Sequence, residues 1–205
     1  TRRSSDLRLF NYDSLSRLLS ATSPESGDNN GNGATFYTYD KASNLIERRD
    51  PRNLITSYTY DSLNRLATKS YSDGTPSVSY FYDAAPSSLP TGATAPSGFS
   101  YQNTLGRATA IASPTTGNNT PTGLFHSYDI GGRITNSSQL LDGQHYTTTS
   151  QYNAASLPIG HTYPSGRTIS HTFNIAGQIT GVDSNNETIS FDNLYTPAGA
   201  IRSQQ

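Results

Sequence analysis

Four histidines and a series of aspartates that follow tyrosines are the residues through which this chain could do chemistry. His161 and His171 flank Pro164-Ser165-Gly166 and could face one another across a hairpin as a metal pair. A metal site needs a third ligand at useful spacing. None is evident near them or near His126 and His145, so all four read as polar strand residues. Glycoside hydrolysis requires two carboxylates held about 5–9 Å apart in a cleft. Asp13, Asp40, Asp61 and Asp129 instead each stand directly after a tyrosine, which fits a shared turn role. The chain carries no Gly-x-Ser-x-Gly elbow, no Gly-x-Gly-x-x-Gly and no Walker loop. Asp28, inside the glycine-rich stretch 27–33, lacks EF-hand spacing and reads as a solvated turn. The expectation is a chain with no catalytic residue, no cofactor and no metal.

Composition narrows the classes further. The 205 residues include 14 basic and 15 acidic side chains, scattered singly, for a net charge of −1. A nucleic-acid or anionic-membrane footprint needs a basic face, so neither partner is expected. Leu, Ile, Val and Phe together number 36, with only two Val. Such poverty in aliphatic area leaves little to offset the entropy of ordering a chain. The 14 Tyr and 7 Phe are the compensation, provided that they are placed regularly. Cys is absent, which excludes disulfides and thiolate chemistry. No apolar run is long enough to span a bilayer, and no basic-then-apolar leader is present. Opening at Thr1-Arg2-Arg3 without Met, the chain reads as an excised or processed segment.

Aligning the chain with itself reveals a repeat. An aromatic is followed by Asp or Asn, then by a small or polar residue, a basic residue and Leu or Ile. The clearest copies are Tyr12-Asp13 with Ser16-Arg17-Leu18, Tyr60-Asp61 with Asn64-Arg65-Leu66, and Tyr128-Asp129 with Gly132-Arg133-Ile134. Tyr39-Asp40 leads to Leu45, Phe173-Asn174 to Gly177-Gln178-Ile179, and Tyr195-Thr196 to Gly199-Ala200-Ile201. Weaker copies start at Tyr82, Tyr101 and Tyr152. The gaps between these nine aromatics are 27, 21, 22, 19, 27, 24, 21 and 22 residues.

The elements that must position these residues follow from the alternation before each ring. Tyr37 and Tyr39, Tyr58 and Tyr60, and Tyr80 and Tyr82 stand two apart, hence on one strand face, with Ser and Thr filling much of the other. The Asp or Asn after the ring can accept backbone N–H bonds two residues on and close an Asx-type turn. Gly132, Gly177 and Gly199 stand where positive φ is expected, with Asn64 as the tolerated substitute. The basic residues Arg17, Arg65 and Arg133 are expected to reach solvent or a neighbouring carboxylate. A second, variable turn closes each unit at Asp50-Pro51-Arg52-Asn53, Asp73-Gly74, Pro164-Ser165-Gly166 and Asn185-Asn186. The fold class is therefore all-β: an antiparallel β-hairpin repeat array in a curved or spiralling sheet. Residues 1–205 form one array of about nine repeats, with loop insertions near 23–34, 83–98 and 113–123. The rings with Leu and Ile should form its apolar face. Open sheet edges at both ends should recruit flanking repeats or drive self-association.

The segments Tyr58-Thr59-Tyr60-Asp61-Ser62-Leu63-Asn64-Arg65-Leu66 and His126-Ser127-Tyr128-Asp129-Ile130-Gly131-Gly132-Arg133-Ile134 resemble the RHS/YD-repeat family, and the likeness covers nearly the whole chain. It implies a hollow β-sheet spiral, with Tyr12, Tyr39, Tyr60, Tyr128 and Phe173 as wall residues and Asp13, Asp40, Asp61, Asp129 and Asn174 as their turn partners. Bacterial members of that family often enclose a C-terminal toxin, and animal relatives belong to cell-surface adhesion proteins. The expected function is a non-catalytic shell segment of a secreted or surface protein, with toxin cargo. The alternative is a carbohydrate-binding or adhesion module that presents Tyr, Asn and Asp to a surface glycan. Asn118, Asn136 and Asn186 fit glycosylation acceptors. The family's Asp-Pro-x-Gly self-cleavage motif is not carried over, since Asp50-Pro51 is followed by Arg52-Asn53 at a variable turn.

Overall fold

A computed structural model describes residues 8–23, 33–185, 187–190 and 192–203. Most of the insertion expected near 23–34, with Asp28, falls outside the described residues, as do Thr1 to Arg3 and Asn186. All strands among the described residues join antiparallel neighbours. Tight turns after the repeat aromatics join β1 (Leu9–Tyr12) to β2 (Leu18–Thr22), β3 (Ala34–Tyr39) to β4 (Leu45–Arg49) and β5 (Ile55–Tyr60) to β6 (Leu66–Tyr71). They likewise join β9 (Thr122–Tyr128) to β10 (Ile134–Leu141), β11 (Gln144–Tyr152) to β12 (Pro158–Thr162) and β13 (Thr168–Phe173) to β14 (Ile179–Ser184). Between them, β7 (Val78–Tyr82) pairs with β8 (Ala108–Ser113) across a long excursion. After β15 (Glu187–Ser190), a final hairpin pairs β16 (Leu194–Tyr195) with β17 (Ile201–Ser203). The first 15 strands form one meandering sheet in chain order, and β16–β17 is a separate pair.

One register recurs along this sheet. Each ring pairs with the first residue of the following strand, as in Tyr39 with Leu45 and Tyr60 with Leu66. The next residue is then skipped as a β-bulge, at Leu19, Ile46, Ala67, Thr109, Thr135, Ile159 and Thr180. A bulge leaves two residues opposite one and increases the local twist. The residue after the bulge pairs with the residue three before the next ring. Ser20 faces Phe36, Glu47 faces Ser57, Thr68 faces Ser79, Ala110 faces Phe125, Asn136 faces Thr149, and Gly160 faces Ser170.

Tyr101 opens no hairpin. The strand ending at Tyr82 resumes at Ala108, so the segment 84–107 is a single excursion inserted into one tight turn, and it contains Tyr101. The ring face also differs from expectation. Direct pairing places Tyr58 with Lys69, Tyr80 with Ile111 and Ile111 with Leu124 on the ring face. The fully enclosed apolar residues Ala110, Phe125 and Leu140 lie on the opposite face, beside Phe81. Elsewhere that face carries hydroxyls such as Thr59 bonded to Thr68 at 2.6 Å. It turns apolar where the excursion lies, because Leu89, Ala93, Phe99 and Tyr101 pack on it. Phe99 meets Phe125 edge-on with centroids 6.5 Å apart. The ring face itself is mostly half-buried by its own neighbours, and Tyr128 is the one repeat ring nearly enclosed among the described residues.

Phe125→Ala is expected to cost about 3–5 kcal/mol in urea unfolding, because it leaves a cavity beneath the excursion. Phe36→Ala, at a ring 43% exposed, is expected to cost less than about 1 kcal/mol. Similar losses for both would show that the excursion does not enclose a core.

Candidate functional site

The tight turns line up on one edge of the array, and each is closed by its own carboxylate or amide. In the first turn the Asp13 N–H donates to the Arg17 carbonyl at 3.0 Å. Asp13 Oδ1 accepts the backbone N–H groups of Leu15 and Arg17, each at 2.9 Å, and Oδ2 accepts Arg17 Nε at 2.7 Å. Asp61 holds Leu63 and Arg65 in the same way, and Asp129 does so for Arg133. Asn174 uses its amide oxygen for Ala176 and Gln178 and its Nδ2 for the Gln178 side chain. The backbone N–H of the following arginine, with its guanidinium, holds the Asp13, Asp61 and Asp129 carboxyls below the usual carboxylate range. For Asp40 the side chain of Asn44 does most of this. The last residue inside each turn is left-handed: Ser16, Ser43, Asn64, Gly106, Gly132, Ser156, Gly177 and Gly199 all have φ between 58° and 84°.

Successive turns are then locked to one another. The Tyr39 hydroxyl donates to the Leu18 carbonyl at 3.0 Å, on the strand of the preceding repeat. Tyr60 donates to Leu45, Tyr82 to Leu66, Tyr128 to Ala108, Tyr152 to Ile134 and Tyr195 to Ile179. The acceptor is always the residue just before the bulge. Phe173 has no hydroxyl to make the corresponding bond. Burial raises the Tyr60, Tyr82 and Tyr128 hydroxyls above their ordinary pKa.

The arginines do not project into solvent. Arg17 lies over the Tyr39 ring, Arg65 over Tyr82, Arg107 over Tyr128 and Arg133 over Tyr152, at 5.0, 4.3, 5.6 and 4.8 Å from the ring centroids. Their tips continue into the next turn. Arg17 Nη1 reaches the Asp40 carbonyl and Ser43 Oγ, Arg133 Nη1 reaches the Asn153 carbonyl and Ser156 Oγ, and Arg65 binds both oxygens of Asp83. Asn44 occupies the same position in its repeat and donates to Asn64 Oδ1. Sequence reading missed both the hydroxyl lock and the guanidinium stack. Their one trace was that a basic residue in one repeat precedes a tyrosine, not a phenylalanine, in the next.

The candidate catalytic and metal residues stay apart. His161 pairs with Ile169 and His171 with Val182, so the two do not face one another. His145 packs its ring against Phe125, and His161 bonds Ser150 at 3.0 Å. Burial lowers the pKa of His126. No group of three metal-ligating side chains occurs among the described residues. A cleft of about 730 Å³ opens between the turns at 72–77 and 114–121. It contains one carboxylate, Asp73, and no histidine, so it offers no acid–base pair.

Two expected outcomes follow from the turn geometry. Gly132 has φ +82°, and a Cβ there would stand 2.6 Å from Arg107 Nη2. Gly132→Val should therefore cost more than about 1 kcal/mol in denaturant unfolding. A value within about 0.5 kcal/mol of the parent would contradict this. Thermal stability should also fall at both ends of the pH scale. The depressed aspartates lend stability above about pH 4 that is lost as pH falls through their lowered values. The raised tyrosines lend stability below about pH 10 that is lost as pH rises through theirs. A Tm flat across both limits in circular dichroism would contradict the assignment.

Known proteins share this fold. The crystal structure of TcdB2-TccC3 superposes with a TM-score of 0.69 at 17% identity, covering 97% of this chain and 10% of that one. The same protein without its hypervariable C-terminal region gives 0.68 at 17% identity, over 96% of this chain and 10% of that one. A Photorhabdus luminescens Tc holotoxin pore carrying a TccC3 mutation gives 0.53 at 15%, over 97% and 11%. The chain thus spans about a tenth of the length of these solved chains, and the likeness shows the fold. No curated protein matches the sequence. The family model described as the Teneurin YD-shell matches residues 5–197, and the chain belongs to that family.

Proposed function

We propose that this chain is a non-catalytic wall segment of a larger secreted or cell-surface YD shell, a single array of YD repeats whose wall surrounds a toxin or other cargo. The observation that carries this reading is the recurrence of one register and one interlocking turn at successive junctions, which builds a continuous surface. Tyr12, Tyr39, Tyr60, Tyr128 and Phe173 serve as wall residues, and Asp13, Asp40, Asp61, Asp129 and Asn174 close their turns. Gly132 and Gly177 provide the left-handed backbone that these turns require. Flanking repeats of the parent chain are the partners of the open sheet ends.

Two features support a closed wall over a flat sheet. Bulges at the same place in successive hairpins all add twist in one sense. The tips of the tight turns also expose Leu15, Leu63, Leu105, Ile130 and Ile175, each at least 67% accessible, in a row along one edge. A neighbouring winding of the same wall would cover such a row. Imaging the intact parent protein tests the reading. A hollow whose wall contains this segment is expected, and a solid or rod-like particle would reject encapsulation.

A further inference from the structure

The excursion at 84–107 is fastened to the sheet at Tyr128. The Tyr128 N–H donates to the Gln102 carbonyl at 3.1 Å, and Asn103 Nδ2 donates to the Tyr128 carbonyl at 2.9 Å. Arg107 lies over the Tyr128 ring and donates to the Asn103 carbonyl at 2.7 Å, which closes the end of the excursion. His126 stands two residues earlier on the same strand face, its ring 6.3 Å from that of Tyr128. Three other repeat rings lie under an arginine, Tyr39, Tyr82 and Tyr152, and the residues two before them are Tyr37, Tyr80 and Ser150. Among the described residues, this is the one junction that sets a histidine beside a ring already holding a guanidinium.

The surroundings of His126 suit a neutral imidazole. Its Nδ1 is enclosed and makes no hydrogen bond among the described residues. With the proton on Nε2, a bare Nδ1 leaves no donor unpaired. An imidazolium donates from both nitrogens, and its enclosed N–H would have no acceptor. No carboxylate faces the ring. Ser137 stands directly opposite in β10, and neither β8 nor β10 carries a titratable side chain. The carboxylates of the flanking turns, Asp83 and Asp129, are held by Arg65 and Arg133. The excursion brings Tyr101 to the opposite face and, to the Tyr128 ring, only the cation Arg107. The face of Tyr128 that could stack on an imidazolium is thus already taken.

We propose that His126 is an acid-sensitive latch: when its ring gains a second proton it turns out of the sheet face, and Tyr128 loosens its hold on the end of the excursion. Loosening there uncovers Phe125 and Leu140, which the excursion encloses. Burial holds the His126 pKa below the ordinary histidine value. The unfolded chain therefore takes up the proton first, and the stability present above about pH 6.5 is lost as pH falls toward the lowered value. That window lies above the one in which the turn aspartates titrate. The latch does not depend on the wall enclosing cargo, so either reading can fail without the other.

Amide hydrogen exchange, corrected for its intrinsic pH dependence, tests the latch on the unaltered chain. Between about pH 7.5 and about 5.5, exchange at Gln102 and Tyr128 should rise several-fold, while Asp61 at a junction without histidine stays constant. His126→Tyr, the residue type found at this position before Tyr39, Tyr60 and Tyr82, should abolish the rise. Should that variant not fold, the imidazole NMR signal of the unaltered chain that is missing from His126→Gln decides the matter. Its midpoint should lie below about 6.5 and coincide with the loss of protection at Tyr128. No rise at Tyr128, an equal rise at Asp61, a rise that persists in His126→Tyr, or a midpoint at or above the ordinary value would each overturn the proposal.

Discussion

The structure depends on a tyrosine hydroxyl taking the carbonyl that precedes a β-bulge in the neighbouring repeat. A single-layer sheet is held by its ladder alone unless something fixes one hairpin against the next. A register slip of one residue would flip every side chain to the other face and carry the hydroxyl past its acceptor. The bulge, the acceptor and the ring therefore constrain one another. Each such bond contributes about 0.5–1.5 kcal/mol net, and the guanidinium over the ring adds about 0.5–1 kcal/mol at an exposed edge. Repeated at successive junctions, these modest terms give a chain with few aliphatic residues a defined surface.

The turn chemistry serves the same constraint. Asp13 and Asp61 each use one oxygen for two backbone N–H groups and the other for arginine Nε, and Asp129 likewise holds the Arg133 N–H and Nε, which orients the guanidinium. The arginine is thereby aimed at the next ring and the next turn. A charged pair that would be worth little as an isolated surface salt bridge thus gains a positioning role. The excursion at 84–107 interrupts one turn without breaking the logic. Gly106 donates to Asp83 Oδ1, Arg107 covers Tyr128, and Tyr82 still pairs with Ala108.

Much of this was legible in the sequence, because period and turn residues are local. The rings, the Asx turns and the all-β class follow from spacing and from the two-residue alternation of strands. Asn64 at φ 58° and Gly132 at φ 82° were readable from residue type. The Asp142-Gly143 hairpin, with both residues at positive φ, carried an equally strong signal that went unread. Tyr101 was misassigned because a spacing near the period cannot separate a repeat ring from a ring folded back over the sheet. The enclosed core lies opposite the rings because Phe81, Phe125 and Leu140 stand on a face that is mostly Ser and Thr in other repeats, and a distant segment covers them there. What covers a face is set by a distant segment, and no local pattern reports it.

The most direct test compares two rings on one strand. Tyr60 donates its hydroxyl to Leu45, whereas Tyr58, two residues away on the same face, makes no hydroxyl bond among the described residues. Urea unfolding of Tyr60→Phe should show a loss of about 1 kcal/mol, while Tyr58→Phe stays within about 0.3 kcal/mol of the parent. Equal effects for the two, or no loss at Tyr60, would contradict the account.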